Sequence, residues 1–573
     1  MANTASTKSG KSKKARDRAA AAETKKVRTE QATKQEPAPP ATDISERTWR
    51  ICALVILILA AVLRFYDLNL VPLHHDEGVN GNFLVRLVRE GVYAYDPANY
   101  HGPTLYYFAA LYPWVIRVLF GKSAMDTYGL TTVAIRMVPA LFGLGTIGLI
   151  FLLRRWLGTV ATLTAGVLLA LSPGAVYLSR YFIHETQFVF FTLGIVVASL
   201  YFYERRNPFY LMLASVSASL LFATKETAMI SAGVLLIAFV MTLVYLRMRK
   251  VRTGPRNFRG RTRPEPGGFT GFVDDLGGPP LVVIYLVLAL IIFAGLWVAF
   301  YSSFFTNAQG IYDSFKTFQI WKKTGADAHV HNWLTYPKWL FSQEAPLLLL
   351  GTFGALVVVI APKKPVALFS ALWAFGLIAA YSLIPYKTPW LVLNFVVPLA
   401  VIAGYGFQTI YELAQRELRL SVGFLFLPLC VSTYQTIDLN FKNYDNDDTY
   451  YVYVYAHTTR GILDLVKEIE RISKEQSGTQ TGVTIVSPDY WPLPWYLRDY
   501  TRVGYYGRMA PSTEPIIIAN ETQKPEMDAN FSEVYQQVDP GKSNGTFELR
   551  PGVRLLLYER RPNYTPTQPP SIR

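Results

Sequence analysis

Cysteine is almost absent from this sequence, which has only Cys52 and Cys430 among its 573 residues. Both cysteines lie within apolar runs, where they are interpreted as small buried hydrophobic residues. Two cysteines in such positions do not provide a disulfide framework or a cysteine metal site. The chain is also too long for one ordinary soluble core. A small domain held together by disulfides or by a cysteine-bound metal is therefore excluded.

Two further patterns are missing, and each absence bears on a class of function. The chain shows no internal repeat, whereas a transporter is expected to have repeats and polar residues near the middle of the membrane. It also has no tight ligand spacing such as HExxH, so no metal cofactor is expected to be required. His74, His75 and His184 could still bind a divalent ion, and this alternative stays open.

Apolar residues, by contrast, are abundant: they make up 51% of the chain, and the mean hydropathy is +0.20. They cluster in runs of roughly 16–22 residues, which are long enough to cross a bilayer core as helices. The pattern predicts a polytopic α-helical protein of the cell membrane, surrounded by the lipid bilayer. The net charge of +15 lies in an N-terminal tail and in loops between the runs. Because that distribution is typical of cytoplasmic loops, nucleic acid is not an expected partner.

The first 48 residues differ in composition from the rest of the chain. Residues 1–48 contain eleven Lys/Arg and six Asp/Glu residues among Ala, Thr, Ser and Pro, with almost no large apolar side chains. Such a composition predicts a disordered basic tail, because it cannot bury enough apolar surface to fold. The tail is not a signal peptide, since the first apolar run begins only near Ile51 and is too long. We expect it to stay cytoplasmic.

The basic connections decide how the apolar runs are oriented. Twelve runs are candidate spans: roughly 50–66, 104–120, 136–153, 159–178, 186–203, 208–223, 227–246, 281–301, 345–361, 366–383, 389–411 and 421–438. If all twelve crossed the membrane, segment 247–263 would lie outside with its eight Lys/Arg residues. If run 104–120, with Pro113 and Arg117, is instead an outer interfacial helix, every basic connection falls inside. The sequence therefore predicts eleven spans, a cytoplasmic N-terminus and an extracytoplasmic C-terminus.

This orientation places four polar clusters on the outer side of the membrane. They are HHDE (74–77), SRYFIHET (179–186), TKET (224–227) and YKTP (386–389). Ionisable residues at membrane depth are costly and usually functional. Four such clusters at one face therefore predict one shared site.

The residues of these clusters suggest chemistry, but each also has a structural interpretation. Asp76 and Glu77 point about 100° apart on a helix, so only one is expected to face a given pocket. That carboxylate could act as a general base, or it could be a solvated cap of a helix starting near Gly78. Arg180 and His184, four residues apart, are expected on one helix face.

Three basic side chains are candidate ligands for a phosphate. Arg180 could bind a phosphate through its planar fork, or it could form a structural pair with Glu185 at a helix end. Lys225 and Lys387 could each provide a point charge to a phosphate, or each could only extend toward the membrane surface. Two prolines flank Lys387 and are expected to free backbone groups there.

The C-terminal part, residues 440–573, is predicted to be a small extracytoplasmic α/β domain. Residues 459–475 have apolar side chains at helical spacing. Three short apolar segments are interpreted as strands: 482–487, 515–520 and 553–560. The aromatic segment DYWPLPWYLRDY (489–500) could rest on lipid headgroups or on a substrate.

The order of motifs along the chain resembles a known superfamily. The acidic DE loop is followed by HGPTLYYFAALYPWVIRVLFG, AIRMVPALFG, LLRRWLG, SPGAVYLSRYFIHETQFVFF, LFATKETAMI and YKTPWLVLNFVVPLA. This order is similar to that of the GT-C superfamily of membrane glycosyltransferases, in the branch of protein O-mannosyltransferases and aminoarabinose transferases. It resembles most the prokaryotic proteins labelled "flippase activity-associated". The likeness covers residues of about 50–410, which implies a transmembrane glycosyltransferase-like domain over 49–439.

The resemblance implies that a sugar is transferred on the outer side of the membrane. The donor would be a polyprenyl- or dolichyl-phosphate-linked sugar, and the acceptor a hydroxyl of a protein or glycolipid. An acidic residue of the first outer loop is the catalytic base in the superfamily. Asp76 occupies that position with Glu77 beside it, and Glu185 corresponds to the later acidic motif.

The resemblance also implies where the donor phosphate is bound. Lys387 and Lys225 correspond to basic residues near that phosphate, and Arg180 lies near the later acidic motif. At His101-Gly102-Pro103 the chain departs from the Lys-Pro-Pro motif of aminoarabinose transferases. His101 is therefore the candidate phosphate contact there, and the particular sugar is left open.

The residues by themselves support the same activity, because sugar transfer needs a base for the acceptor and cations for the leaving phosphate. A membrane glycosyltransferase of hexosyl or pentosyl groups is thus the predicted function. The alternative is a transporter or flippase for lipid-linked sugars, which would also need buried charges. A sensor that binds such a lipid without turnover is a third hypothesis.

Overall fold

The fold combines a large set of apolar helices with one small C-terminal sheet. The computed structural model describes residues 44–99, 101–253, 269–327, 330–445, 450–539, 541 and 545–564. Of the predicted tail, only residues 44–48 are described, and the first helix already begins at Glu46. The predicted disorder of residues 1–43 and most of the basic segment 247–263 lie outside the described residues.

The helices that precede the sheet fall into two groups. Those of the first half are α1 (Glu46–Phe65), α2 (His75–Glu90), α3 (Thr104–Phe120), α4 (Lys122–Ala124), α5 (Thr132–Leu152), α6 (Arg154–Leu157), α7 (Thr159–Ala170), α8 (Pro173–Ser179), α9 (Glu185–Arg205), α10 (Pro208–Phe222) and α11 (Ala228–Thr253). Those that follow are α12 (Phe269–Asp275), α13 (Pro279–Tyr301), α14 (Gln309–Asp327), α15 (Thr335–Gln343), α16 (Ala345–Ile360), α17 (Pro365–Leu383), α18 (Leu393–Leu413) and α19 (Leu418–Ile437).

The predicted class of polytopic helical membrane protein is confirmed. Within the described ranges, eight helices are long and apolar enough to cross a membrane: α1, α5, α9, α11, α13, α17, α18 and α19, the last two with adjoining turns. Two bent pairs, α7 with α8 and α15 with α16, raise this number to ten if each pair is one span. The helices α3 and α10 are apolar but shorter. The predicted count of eleven, which includes α10, and the predicted orientation stay predictions.

Helix α18 is the most enclosed of these candidate spans. Buried residues make up 94% of its most apolar stretch, whereas the corresponding figure for α13 is 0%. Two glycines let neighbouring helices approach α18 closely. A Cβ atom at Gly404 would lie 2.1 Å from the carbonyl oxygen of Ala161 on α7, and one at Gly354 of α16 would lie 2.3 Å from that of Ile402. Small residues at such contacts are typical of helix packing in membranes.

The C-terminal region carries a small sheet with helices, in agreement with the predicted α/β fold, and the sheet is mixed. Its strands are β1 (Val483–Ile485), β2 (Val503–Tyr505), β3 (Ile516–Asn520), β4 (Tyr535–Gln537), β5 (Phe547–Arg550) and β6 (Val553–Arg560). The strand order is β2-β1-β3-β6-β4, and β5 also pairs with β6. β1 is parallel to β2 and β3, and β6 is antiparallel to its partners. The three predicted strands correspond to β1, β3 and β6.

Three further helices accompany the sheet: α20 (Gly461–Glu475), α21 (Leu493–Tyr496) and α22 (Lys524–Phe531). Helix α20 packs its apolar face on the sheet through Ile462, Leu465, Ile469 and Ile472. The helix predicted over 459–475 is therefore confirmed. The predicted boundary between residues 439 and 440 falls in the turn Asp438–Lys442 after α19 and stays a prediction.

The aromatic segment 489–500 packs on helix α2. A Cβ atom at Gly78 would lie 2.6 Å from Cβ of Pro492, and one at Gly81 would lie 2.6 Å from the ring of Trp495. Trp495 is 1% exposed, and the backbone N–H of Leu73 donates to the Tyr496 hydroxyl at 2.9 Å. This segment therefore joins the C-terminal region to α2, a role that was not expected from its composition.

Candidate functional site

A cavity of about 440 Å³ opens where α2 meets the C-terminal region. Its ionisable lining residues are His74, His75, Asp76, His101, Glu185, Lys225, Glu226 and Arg550. Three of the four predicted polar clusters therefore contribute to one cavity, and the fourth contributes Tyr386 rather than Lys387. The elements involved lie far apart in sequence, so only the packing of the helices brings these side chains together.

Two ion pairs form the inner wall of the cavity. Nζ of Lys225 lies 2.5 Å from Oε1 of Glu185, the first residue of α9. Nδ1 of His101 lies 3.1 Å from Oε2 of Glu226. The backbone fixes this arrangement, because the N–H of Gly102 donates to the carbonyl of Thr224 at 3.0 Å. The HGP segment and the TKET loop are thus held together as one wall.

The pKa values in this wall follow from the pairing. Burial lowers the pKa of Lys225, but the neighbouring carboxylates of Glu185 and Glu226 outweigh burial and raise it. Burial raises the pKa of Glu226, while His101 and Lys225 lower it, and the net shift is downward. Burial, together with the charges of His101 and Lys225, holds the pKa of His184 well below its usual range. Lys225 and Glu226 are therefore charged and His184 is neutral near pH 7.

Asp76 provides the most accessible carboxylate of the cavity. It lies in the first turn of α2, which begins at His75 rather than near Gly78 as expected. Its side chain is 41% exposed and lies 3.8 Å from Nδ1 of His74, and no Lys or Arg among the described residues pairs with it. The helix is capped by His74, whose Nδ1 accepts the backbone N–H of Asp76 at 3.1 Å. Because His74 and Glu77 provide the capping box, the carboxylate of Asp76 is not used as the cap.

Glu77, the adjacent carboxylate, is fully buried and points away from the cavity. Its two oxygens accept from Arg136 of α5, with Oε1 2.7 Å from Nε and Oε2 2.5 Å from Nη2. Oε1 also accepts the backbone N–H of Phe182 at 2.7 Å, and Oε2 that of His74 at 3.0 Å. The two carboxylate oxygens thus accept four hydrogen bonds, and these join the start of α2 to Arg136 of α5 and to Phe182. The catalytic role assigned to Glu77 stays a prediction, and its contacts are those of a structural anchor.

Arg180 and Lys387, two of the predicted phosphate ligands, direct their charges to backbone carbonyls instead of the cavity. Arg180 donates to the carbonyls of Tyr66 at 2.5 Å and Asp67 at 2.9 Å, just after α1. Lys387 donates to the carbonyls of Ser382 at 3.1 Å and Ile384 at 2.5 Å, at the end of α17. Neither residue lines the cavity. Their role at the donor phosphate stays a prediction without support from these contacts.

One expectation about these residues is wrong. Arg180 and His184 do not share a helix face, because α8 ends at Ser179 and α9 begins only at Glu185. His184 instead lies behind the inner wall, where Nε2 is 3.0 Å from the carbonyl oxygen of Gly102. Since a carbonyl only accepts, the Nε2 atom carries the proton. His184 thus fixes the position of the segment His101-Gly102-Pro103 through a hydrogen bond to its backbone.

The three histidines named as possible metal ligands do not converge on one point. In the described part of the chain, no group of three or more His, Cys, Asp or Glu side chains is arranged to hold a metal ion. Both ring nitrogens of His74 contact the backbone, Nδ1 at Asp76 and Nε2 at Tyr455. The expectation that no metal is required, and the alternative of a bound divalent ion, both stay untested.

Several lining residues were missed by sequence reasoning. The aromatic ones are Trp321, Tyr381, Tyr386, Trp390 and Tyr455, and the charged one is Arg550 at the end of β5. No local pattern marks Arg550, which stands before a Pro-Gly turn like many surface arginines. Only the docking of the C-terminal region on α2 brings it to the cavity.

The family described as dolichyl-phosphate-mannose-protein mannosyltransferase matches residues 54–312. This stretch includes Asp76, His101, Glu185 and Lys225, whereas Arg550 lies beyond it. No curated protein matches the chain.

Solved structures share the fold over most of the chain. ArnT from Cupriavidus metallidurans bound to undecaprenyl phosphate is similar with 14% identity and a TM-score of 0.56, and the match covers 91% of this chain and 100% of ArnT. ArnT in the apo state matches with 15% identity, a TM-score of 0.53 and coverages of 90% and 98%. The archaeal oligosaccharyltransferase AglB from Archaeoglobus fulgidus, in complex with an inhibitory peptide and a dolichol-phosphate, matches with 13% identity, a TM-score of 0.50 and coverages of 91% and 76%. Over most of its length the chain therefore has the same fold as ArnT and AglB, and residues 54–312 are similar to the dolichyl-phosphate-mannose-protein mannosyltransferase family.

Proposed function

We propose that this protein transfers a sugar from a polyprenyl- or dolichyl-phosphate donor to an acceptor hydroxyl on the outer face of the membrane. The observation that carries the proposal is the cavity, in which the exposed carboxylate of Asp76 faces a wall of buried ion pairs. The donor class is supported by the mannosyltransferase family match and by the undecaprenyl phosphate bound to ArnT. The acceptor belongs to a protein or a glycolipid.

Asp76 acts as the general base in this proposal. The acceptor oxygen forms a bond to the anomeric carbon of the sugar, while the bond from that carbon to the phosphate oxygen breaks. The acceptor proton passes to Asp76, and the lipid phosphate leaves as an anion. A carboxylate that is accessible and free of an Arg or Lys partner can accept this proton, whereas the fully paired Glu77 cannot.

The inner wall positions the donor in this proposal. Glu185 and Glu226 are acceptors for sugar hydroxyls, and their partners Lys225 and His101 keep both carboxylates in place. Fixed charge pairs of this kind need no reorganisation during the reaction, which is how preorganised sites stabilise a transition state. The aromatic rings of Trp390 and Tyr455, 6.1 Å apart, provide apolar surface beside the sugar.

The test is sugar transfer by the purified full chain, with a polyprenyl-phosphate sugar as donor and donor consumption as readout. Asp76→Asn should bind the donor and unfold at the wild-type temperature, yet transfer sugar at least about a hundredfold more slowly. Asp464→Asn, on the exposed side of α20, is the matched control and should keep wild-type turnover.

Three outcomes are informative. Near wild-type turnover in Asp76→Asn would remove Asp76 from the mechanism. Donor binding without consumption by the wild-type protein would favour a sensor. Passage of an unconsumed donor across a vesicle membrane would favour the transporter or flippase.

A further inference from the structure

One arginine at the mouth of the cavity has most of its hydrogen-bonding capacity unused. Arg550 ends β5 and lines the cavity, and its side chain is 23% exposed. Its Nη2 atom donates to the carboxylate of Asp489, at the start of the aromatic segment 489–500. Within the described ranges, no second acceptor contacts this guanidinium. Since an arginine has five N–H donors, several remain available to a ligand in the cavity.

The other arginines and lysines named above differ from Arg550 in exposure or in the use of their donors. Lys225, which also lines the cavity, is only 5% exposed and has two carboxylates beside it, those of Glu185 and Glu226. Arg180 and Lys387 are held by backbone carbonyls, and Arg136 is held by Glu77. Of the two Arg and Lys residues in the described lining, Arg550 is therefore the more exposed and the one with more N–H donors left.

The cavity has more carboxylates than cations in its described lining, so the guanidinium of Arg550 matters for binding an anion there. Three carboxylates line the cavity, those of Asp76, Glu185 and Glu226, and each repels an anion. A phosphate is stabilised in such a space by a cation that still has N–H donors directed at it. Arginine suits this purpose, because its planar fork matches two phosphate oxygens at once. The hydrogen bond from Nη2 to Asp489 fixes the orientation of the guanidinium.

The other groups at this mouth are compatible with an oxyanion. His75 lines the same cavity, and its imidazole lies beside the ring of Trp491, with the centroids 5.9 Å apart. In the described part of the chain, no hydrogen bond engages either ring nitrogen of His75, so one N–H is available to a second oxygen. Arg550 and His75 come from different regions of the chain and meet only because segment 489–500 packs on α2.

We propose that Arg550 binds the phosphate of the lipid-linked donor, so that the C-terminal region completes the donor site of the transmembrane region. This inference rests on the proposed function, because it assigns the phosphate of that same donor to one side chain. It places the phosphate at the mouth formed by Arg550 and His75, and the sugar toward the inner wall. A chain whose C-terminal region is displaced from α2 then loses donor binding although Asp76, Glu185 and Lys225 are intact.

The experiment measures binding of a polyprenyl monophosphate and of the matching polyprenol to the purified full chain. The wild-type protein should prefer the monophosphate. Arg550→Ala should bind it at least about tenfold more weakly, because hydrogen bonds to charged groups contribute roughly that much, and should bind the polyprenol as before. Arg550→Lys should restore part of the difference, since a point charge replaces the fork only partly. Arg554→Ala, on β6 and 53% exposed, is the matched control and should behave as wild type.

The variant Asp489→Asn distinguishes two roles of Arg550, that of a phosphate ligand and that of a structural partner of Asp489. If the Arg550–Asp489 pair serves only to hold segment 489–500, then Asp489→Asn and Arg550→Ala should weaken phosphate binding equally. If Arg550 is the ligand, Asp489→Asn leaves the guanidinium in place and removes a competing charge, so binding is kept within about threefold or becomes tighter. Should Arg550→Ala fail to fold, Arg550→Gln keeps an amide donor for Asp489 and takes its place in the comparison.

The possible results are distinct. Equal loss in Asp489→Asn and Arg550→Ala, or unchanged monophosphate binding in Arg550→Ala and Arg550→Gln, overturns the inference and leaves the proposed function standing. Equal affinity of the wild-type protein for monophosphate and polyprenol overturns the proposed donor class as well.

Discussion

Two groups of ionisable side chains, one lining the cavity and one outside its lining, contain the same residue types but have different hydrogen-bond partners. The groups in the cavity are Asp76, His101, Glu185, Lys225 and Glu226, here called the cavity groups. Those behind it are Glu77, Arg136, Arg180 and Lys387, here called the anchor groups. Four of the cavity groups form two pairs, Asp76 stays outside these pairs, and all five line the open space. Anchor groups are saturated by each other or by backbone carbonyls.

This difference shows that burial and charge near a site do not by themselves indicate catalysis. Asp76 and Glu77 are adjacent in sequence, yet one is 41% exposed and the other is fully buried. A carboxylate whose oxygens already accept four hydrogen bonds has no lone pair for a substrate proton. Unused bonding capacity that faces the cavity distinguishes a functional group from an anchor.

The largest expected effect comes from breaking the anchor pair. Glu77→Gln leaves the guanidinium of Arg136 buried without a counter-charge, which typically costs about 3–5 kcal/mol. We expect a marked fall in unfolding temperature in detergent, with loss of activity as a consequence. Glu90→Gln, at the exposed end of the same helix, should change nothing measurable. Normal stability together with abolished transfer in Glu77→Gln would move the catalytic role from Asp76 to Glu77 and erase the distinction between the two groups.

A smaller stability effect is expected when a cavity pair is broken. Glu185→Gln removes the partner of Lys225, but Glu226 still attracts the ammonium group and the cavity admits water. The free energy of unfolding should fall by about 1–3 kcal/mol, less than for Glu77→Gln, while sugar transfer falls much more than stability. Thermal unfolding and turnover measured on the same sample test this order. A larger loss of stability in Glu185→Gln than in Glu77→Gln would contradict the comparison.

Arg180 gives a test of the anchor groups that is independent of Glu77. Arg180→Ala removes hydrogen bonds to the carbonyls that follow α1 and should destabilise the protein by about 1–2 kcal/mol. Because the guanidinium does not line the cavity, the affinity for a polyprenyl monophosphate should stay within about threefold of wild type. Tenfold weaker phosphate binding, with stability unchanged, would instead support the phosphate role predicted from the sequence.

The smallest effect concerns acidic pH and the pair His101–Glu226. The pKa of Glu226 is lower in the folded protein than its ordinary value of about 4.3, so the folded state binds fewer protons. The stability that this carboxylate contributes is therefore complete above about pH 4.3 and is lost as pH falls through the lower, folded pKa. Glu226→Gln should therefore lower the unfolding temperature in the neutral range, where that contribution is complete, and flatten its decline in the acidic range. An unchanged slope would mean that other carboxylates dominate acid unfolding.

Much of the fold could be predicted because its signals are local. Apolar run length identified the long helices, and amphipathic spacing identified α20. Short apolar segments identified β1, β3 and β6; all residues of β1 and β3 and the middle of β6 are buried. The strands β2, β4 and β5 include exposed or polar residues among their three or four positions, so no short apolar segment marks them.

The sequence by itself determined that charged clusters follow the ends of apolar runs, and this placed Asp76, Glu185 and Lys225 among the candidates, whereas His101 was suggested by the resemblance. Cluster position depends only on hydrophobicity along the chain, which is a local property. Whether a given charge faces a cavity or a carbonyl depends on which distant segment packs against it.

Glu77 became an anchor because Arg136, 59 residues later, reaches it, and Arg550 joined the cavity because segment 489–500 packs on the glycine face of α2. These pairings are set by long-range packing, since a buried charge accepts whichever partner the fold brings within hydrogen-bond distance. No local pattern in the sequence carries that information, and for this reason only the tertiary structure decided which of two adjacent carboxylates is open to a substrate.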